Sequence, residues 1–207
     1  MHQKTYSIIA AVALSLTLVQ PLAAQQAEQA DETGQAESGA APSVDDTLSL
    51  GEQVPGQPFV AETFGEWEMR CVTLPEGDNC TLFQLLQDDQ GNNVAEITLF
   101  GLPPGQQAAA GATIVTPLET LLTQQITIQV DSSQAKRYPF SWCNQVGCYA
   151  RVGFTEAEVN EFKRGARATV VIVPAAAPDQ QVRLDLSLIG FTAGLDAVNA
   201  ANFANEQ

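Results

Sequence analysis

The chain has 207 residues, of which 24 are acidic and nine are basic, and its formal net charge is -15. A surface with this excess of negative charge is repelled by phosphate backbones and anionic lipids, which argues against nucleic-acid binding. The single histidine is His2, so the rest of the chain lacks the commonest general base, a Ser-His-Asp triad and histidine metal ligands.

The N-terminal segment has the pattern of a secretion signal. Lys4 precedes an apolar run from Ser7 to Val19, and small residues up to Ala24 follow. This order predicts a signal peptide over residues 1–24. The apolar run is shorter than the roughly 20 residues that a membrane span needs, so the mature chain is predicted to have no transmembrane span. An uncleaved anchor is the alternative.

Residues 25–58 differ in composition from the rest of the chain. They are rich in Gln, Ala, Glu, Gly and Asp, and they contain no Lys or Arg. Such a segment buries too little apolar surface to offset the entropy lost on ordering. We therefore predict a disordered acidic linker, followed by one domain over residues 59–195 and a C-terminal tail over residues 196–207.

The domain shows repeated alternation of apolar and polar residues, which is the signal of half-buried strands. About nine short strands separated by turn residues predict an all-β, antiparallel β-sandwich. The predicted strands are 66–71, 81–87, 95–99, 112–116, 126–130, 136–143, 148–153, 167–173 and 182–188. The Asp88–Asn93 segment between two of them does not match a calcium-binding loop, and we interpret it as a hairpin turn.

One segment predicts a helix instead. Thr155 and Glu158 have the spacing of a capping box, and Phe154 and Val159 that of a hydrophobic staple. A short crossover helix is therefore expected from Glu156 to Arg164, ending at Gly165. Its last residues, Lys163 and Arg164, complement the helix dipole; a ligand anchor is the alternative role.

The four cysteines fall in two close pairs, Cys71 with Cys80 and Cys143 with Cys148. Each pair brackets a polar turn between strand-like segments, and a hairpin would bring its two cysteines within bridging distance. In an exported chain this favours local disulfides, with cross pairing between the two hairpins as the alternative. Neither spacing matches a Cys-x-x-Cys redox motif or the usual zinc-ligand intervals.

Catalytic and cofactor motifs are missing. The sequence has no phosphate-binding Gly-x-x-x-x-Gly-Lys and no dinucleotide fingerprint, so we predict no catalytic residue, no metal and no cofactor. A pair of carboxylates could still support glycoside hydrolysis, although none stands out from the alternating solvent-facing positions.

One group of residues predicts a contact surface near the second cysteine pair. Aromatic and cationic side chains of this kind carry much of the energy of protein interfaces. The candidate residues are Lys136, Arg137, Trp142, Tyr149 and Arg151. The alternative is that Phe140, Trp142 and Tyr149 simply pack against the core and its edge.

Four blocks of this sequence together resemble the invasion-associated locus B family. They are Phe64-Gly65-Glu66-Trp67 with Arg70-Cys71, then the segments 111–118, 136–143 with Gly147-Cys148, and 188–194. The resemblance covers roughly residues 59–195. It implies an immunoglobulin-like β-sandwich exported to the periplasm or cell envelope of a Gram-negative bacterium, mostly alphaproteobacterial, and it supplies no catalytic motif.

Sequence and resemblance together predict a non-enzymatic envelope protein that binds an unknown envelope or host protein, or a glycan. A link with host-cell invasion is implied for pathogenic relatives. Two alternatives remain: a carboxylate-dependent envelope hydrolase, and a structural accessory of the envelope without a discrete ligand.

Overall fold

The computed structural model describes residues 54–204. The predicted signal peptide and most of the predicted linker lie outside these residues. Within them the chain forms eleven strands and two helices. The strands are β1 (Pro58–Phe64), β2 (Trp67–Leu74), β3 (Gly77–Gln87), β4 (Asn93–Gly101), β5 (Ala110–Thr116), β6 (Ile126–Val130), β7 (Lys136–Tyr138), β8 (Trp142–Cys143), β9 (Cys148–Phe154), β10 (Arg167–Ile172) and β11 (Val182–Ser187), and the helices are α1 (Glu156–Arg164) and α2 (Phe191–Asn202).

The strands form two antiparallel layers. The large layer has the order β1-β2-β3-β4-β5-β9-β8, and the small layer has the order β7-β6-β10-β11. A single residue pair, Gln87 with Asp185, connects them where β3 passes from β2 to β11. The inward residues of both layers share one core with the two helices, which makes the fold the predicted β-sandwich.

A continuous chain of aromatic rings runs through this core. Tyr138, Phe154, Phe162, Phe191 and Trp67 contact one another in that order, with ring centroids 4.9–5.7 Å apart. Three of the four contacts are edge-to-face, an arrangement that aromatic pairs favour. The rings come from both layers and both helices, so their contacts join the layers and the helices in one core.

Helix α1 has the predicted bounds and connects the two layers. The Thr155 side chain accepts a hydrogen bond from the Glu158 backbone, and the Glu158 side chain accepts one from the Thr155 backbone, which confirms the capping box. Gly165 ends the helix with an extended φ of -75° rather than a left-handed one. A Cβ at Gly165 would lie 2.6 Å from the Val130 side chain, so close packing is what requires glycine there.

Two strand predictions need correction. The sequence pattern does not predict strand β1. Pro58, the last residue of the predicted linker, begins this strand, and the Gly56 N–H donates to the Thr73 carbonyl of β2. The predicted strand 136–143 is interrupted by Pro139, which has no N–H to donate and separates β7 from β8.

Helix α2 crosses residue 195, after which the sequence predicts a C-terminal tail. Helix α2 continues through Asn202, and Leu195 and Val198 are buried in the core. The Asn202 side-chain amide bonds both the N–H and the C=O of Cys80. The Asn202 side chain therefore satisfies the backbone hydrogen bonds of Cys80, which has no partner residue on β4. Residues 196–202 thus belong to the domain.

Candidate functional site

Two disulfides join hairpin strands at directly opposed positions. Cys71 is bonded to Cys80 across β2 and β3, and Cys143 is bonded to Cys148 across β8 and β9. This is the local pairing predicted from the spacing. The first bridge lies in the core, whereas Cys143 of the second is exposed. The first bridge therefore belongs to the core packing, and the second holds a two-residue strand at the surface.

The second disulfide positions an exposed aromatic pair. Trp142 and Tyr149 precede and follow the two bonded cysteines and face each other across β8 and β9. Their rings are stacked, with centroids 5.1 Å apart and an interplanar angle of 7°. Trp142 is 44% exposed. Both side chains stand on the outward face of the large layer at its β8 edge, whereas Phe140 packs against the core.

The aromatic pair ends a row of outward side chains that crosses the large layer. Consecutive cross-strand partners connect Leu85 to Glu96, Glu96 to Val115, and Val115 to Tyr149. Five strands thus contribute one residue each to what we call the aromatic row: Leu85, Glu96, Val115, Tyr149 and Trp142. Apart from Glu96 the row is apolar or aromatic, which is unusual for a solvent-facing surface.

A groove runs beside the aromatic row. It has a volume of about 380 Å³ and is lined chiefly by Leu85, Val94, Val115, Pro117 and Val146, with Glu96 among them. Val146 lies in the disulfide-bridged turn between β8 and β9 and is 76% exposed. Asn144 orders this turn, because its side-chain oxygen accepts hydrogen bonds from the Val146 and Gly147 backbone.

Lys136 takes no part in this surface. Its ammonium group lies 3.1 Å from a carboxylate oxygen of Glu158, which also accepts a hydrogen bond of 2.6 Å from the Tyr138 hydroxyl. Although burial raises the pKa of Glu158, hydrogen bonds from Thr155, Tyr138 and Lys136 outweigh burial and lower it to about 2. Burial and the adjacent carboxylate raise the pKa of Tyr138. This cluster attaches β7 to α1 and is structural.

The remaining candidate residues lie in two places. Arg151 is exposed on β9, two positions after Tyr149, and so lies beside the aromatic row. Arg137 is on β7, where it opposes Thr127 on the outward face of the small layer. Of the five predicted residues, the structure therefore brings together Trp142, Tyr149 and Arg151. Lys136 and Arg137 are separate from them.

Sequence reasoning missed Leu85, Glu96 and Val146. The alternation in β3 and β4 marks Leu85 and Glu96 as outward residues, but only the strand order places them in line with Tyr149. The short loop between Cys143 and Cys148 indicates an exposed turn for Val146. That Val146 lies over the groove could not be predicted from spacing.

A second, polar cleft of about 530 Å³ lies between the layers near the joint at Gln87. Gln84 is buried there and forms two hydrogen bonds with the backbone of Ser187, whose carbonyl also accepts one from the Trp67 indole. The Gln84 bonds connect β3 to β11 beyond the Gln87–Asp185 pair, and the Trp67 bond connects β2 to β11. The cleft therefore contains the structural joint of the two layers.

The four sequence blocks meet in two clusters. In the first, a Cβ at Gly65 would lie 2.6 Å from the Ile189 carbonyl, and one at Gly190 would overlap the Phe64 carbonyl. In the second, a Cβ at Gly147 would lie 2.5 Å from the Thr116 carbonyl. Glycines at these positions allow backbone to approach backbone. The glycines of these blocks therefore serve close backbone packing.

Within residues 54–204, no three His, Cys, Asp or Glu side chains converge on a point that could hold a metal ion. Neither of the two helices in this range has the length and apolarity needed to cross a bilayer.

These features define a disulfide-braced antiparallel β-sandwich with an outward aromatic row and an adjoining groove. The chain belongs to the invasion associated locus B (IalB) protein family, whose sequence profile matches residues 67–199. It is 27% identical over 146 residues to invasion protein B homologs of Brucella abortus strain 2308 and of Brucella abortus biovar 1 strain 9-941. Each alignment covers 70% of this chain and 82% of the relative.

The fold is similar to that of the crystal structure of invasion associated protein B from Bartonella henselae. The TM-score is 0.58 at 21% sequence identity, over 68% of this chain and 96% of that protein. This likeness supports the sandwich architecture that the strand pattern predicts.

Proposed function

We propose that this protein is an exported cell-envelope protein that acts by binding another molecule rather than by catalysis. The observation that carries the proposal is the aromatic row, where Trp142 stacks on Tyr149 and stays 44% exposed beside a disulfide. Large exposed apolar and aromatic patches mark interaction sites in soluble proteins. Export is supported by the signal-like N-terminus and the two disulfides, which persist in oxidising compartments.

The names of the relatives connect the family with invasion. We extend to this chain only the general role of contacting a partner, an envelope or host protein or a surface glycan. A carboxylate-dependent hydrolase would need a general acid whose pKa is raised. Among the described carboxyl groups with a clear shift, the pKa of Glu158 and that of Asp88 are both lowered. Neither of these two carboxyl groups is therefore suited to act as that general acid.

Site-specific photocrosslinking in intact cells tests the proposal. A photoreactive amino acid replaces Trp142 in one strain and Arg183, an exposed residue of β11 on the small layer, in a matched strain. We expect a discrete adduct from position 142 and none from position 183. Absence of any adduct at position 142, together with envelope stress in a deletion strain, would favour a structural accessory instead.

A further inference from the structure

Three of the four edge strands of the sandwich are poorly suited to adding a strand from a partner. Strand β1 has a register shift between Val60 and Glu62, β7 has three residues before Pro139, and β8 has only two. Bulges, prolines, charges and short length are the devices by which proteins block edge pairing. The fourth edge strand, β11, is paired with β3 at Asp185. The large layer, which ends in β1 and β8, therefore offers a partner its outward face rather than an edge.

Glu96 is the distinctive side chain of the outward face. It stands between Leu85 and Val115 in the aromatic row, so aliphatic side chains flank its carboxylate on both neighbouring strands. It is half-buried, and within residues 54–204 no Lys or Arg forms an ion pair with it. A carboxylate in apolar surroundings is stabilised by an opposite charge.

We infer that the groove binds a polypeptide segment in which a Lys or Arg stands next to an aliphatic residue. The cation pairs with Glu96, and the aliphatic side chain enters the groove between Leu85 and Val146. The negative net charge of the chain attracts such a cationic segment. The inference rests on the proposed function and specifies the partner class of the same face.

A glycan fits this groove less well than a polypeptide. Asn93, Glu96 and Thr116 are its polar members, but five of its nine lining residues are Leu, Val or Pro, which offer no hydrogen bonds to hydroxyl groups. Sugar hydroxyls buried against them would lose their water without gaining partners, which is costly. An aliphatic side chain has no such cost.

The test uses a phage-displayed library of random dodecapeptides selected on the full mature chain. We expect selected peptides to contain a Lys or Arg beside Leu, Ile or Val. Glu96→Gln should weaken binding of a synthetic selected peptide about tenfold, and Val146→Ser should weaken it independently of charge. Glu62→Gln, an exposed carboxylate on β1, is the matched control and should leave affinity unchanged.

A double-mutant cycle makes the test specific. If the peptide cation is replaced by Gln, Glu96→Gln should cause no further loss, because the two groups then no longer interact. Additive losses, or selected peptides without basic residues, would overturn the inference. Circular dichroism of each variant establishes that the fold is retained.

Crosslinking separates this inference from the proposed function. A photoreactive residue at position 85 should give the same polypeptide adduct as one at position 142, and Glu96→Gln should reduce that adduct. An adduct from position 142 alone, or one that contains carbohydrate, leaves the binding function standing and overturns the groove inference. No adduct from either position overturns both.

Discussion

Glu158→Gln should destabilise the domain in a pH-dependent manner. Glu158 is 7% exposed, and its two carboxylate oxygens accept hydrogen bonds from Thr155, Tyr138 and Lys136. A carboxyl whose pKa falls from 4.5 to about 2 on folding would contribute about 3 kcal/mol at neutral pH. Because Lys136 is 43% exposed, solvent screens part of its attraction to Glu158. We therefore expect the substitution to lower the free energy of unfolding by about 2 kcal/mol.

The sign of the pH dependence follows from the lowered pKa. The stabilisation is fully present above the unfolded pKa of 4.5 and is lost as the pH falls towards the folded value of about 2. The difference in unfolding free energy between the parent protein and Glu158→Gln should therefore shrink by at least half between about pH 5 and about pH 3.

Urea denaturation at a series of pH values measures this difference. Glu156→Gln is the matched control, because Glu156 lies in the same helical turn and is exposed. The control should cost less than about 0.5 kcal/mol. A gap between parent and Glu158→Gln that stays constant with pH, or an equal loss in Glu156→Gln, would refute the role assigned to the Glu158 cluster.

Three further changes test the packing. Gly190→Ala should lower the unfolding free energy by more than about 3 kcal/mol, because the φ of Gly190 is 85° and a Cβ would overlap the Phe64 carbonyl. The control is Gly105→Ala, where φ is 89° and the space is open, and it should lower the unfolding free energy by only about 1 kcal/mol. Equal losses in thermal melts would mean that the close approach to Phe64 is unimportant. Replacing both Cys71 and Cys80 by Ser should lower the unfolding free energy more than the same change at Cys143 and Cys148, where a loss of about 2 kcal/mol is expected. Both cysteines of the first bridge are buried, whereas Cys143 of the second is exposed. Urea midpoints measure both losses, and the reverse order would contradict the burial argument. Truncation after Leu195 removes the buried Val198 and the Asn202 hydrogen bonds and should lower the melting temperature by about 10 °C or more, whereas an unchanged melt would restore residue 195 as the domain boundary.

Local signals in the sequence were sufficient for much of the fold. Alternation identified the strands that have one buried face, such as Ile126–Val130. The capping box defined the start of α1, and Gly165 defined its end. The close cysteine spacing predicted each hairpin because opposed strand positions place two Cβ atoms at bridging distance. In each case neighbouring residues carry the information.

Elements without a local signal were missed. Strand β1 is exposed at five of seven positions and carries a bulge, so it has no alternation to detect. Helix α2 follows Gly190, which has no side chain to cap it, and its sequence is rich in small residues. Its position depends on contacts with β3, more than a hundred residues earlier in the chain.

The candidate surface was predicted only in part for a related reason. Lys136 and Trp142 are close in sequence, but between them the chain passes from the small layer to the large one at Pro139. Leu85 and Glu96 are distant from Trp142 in sequence but belong to the same cross-strand row. Strand order decides which side chains share a face, and a single sequence does not contain it.

The two bridges have a consequence for how the chain matures. Each cysteine is bonded to the next one along the polypeptide, first with second and third with fourth. If the thiols meet an oxidant in order from the N-terminus, the second cysteine finds only the first one free, and the fourth finds only the third. Correct oxidation should then proceed without a disulfide isomerase, even before the sandwich has closed.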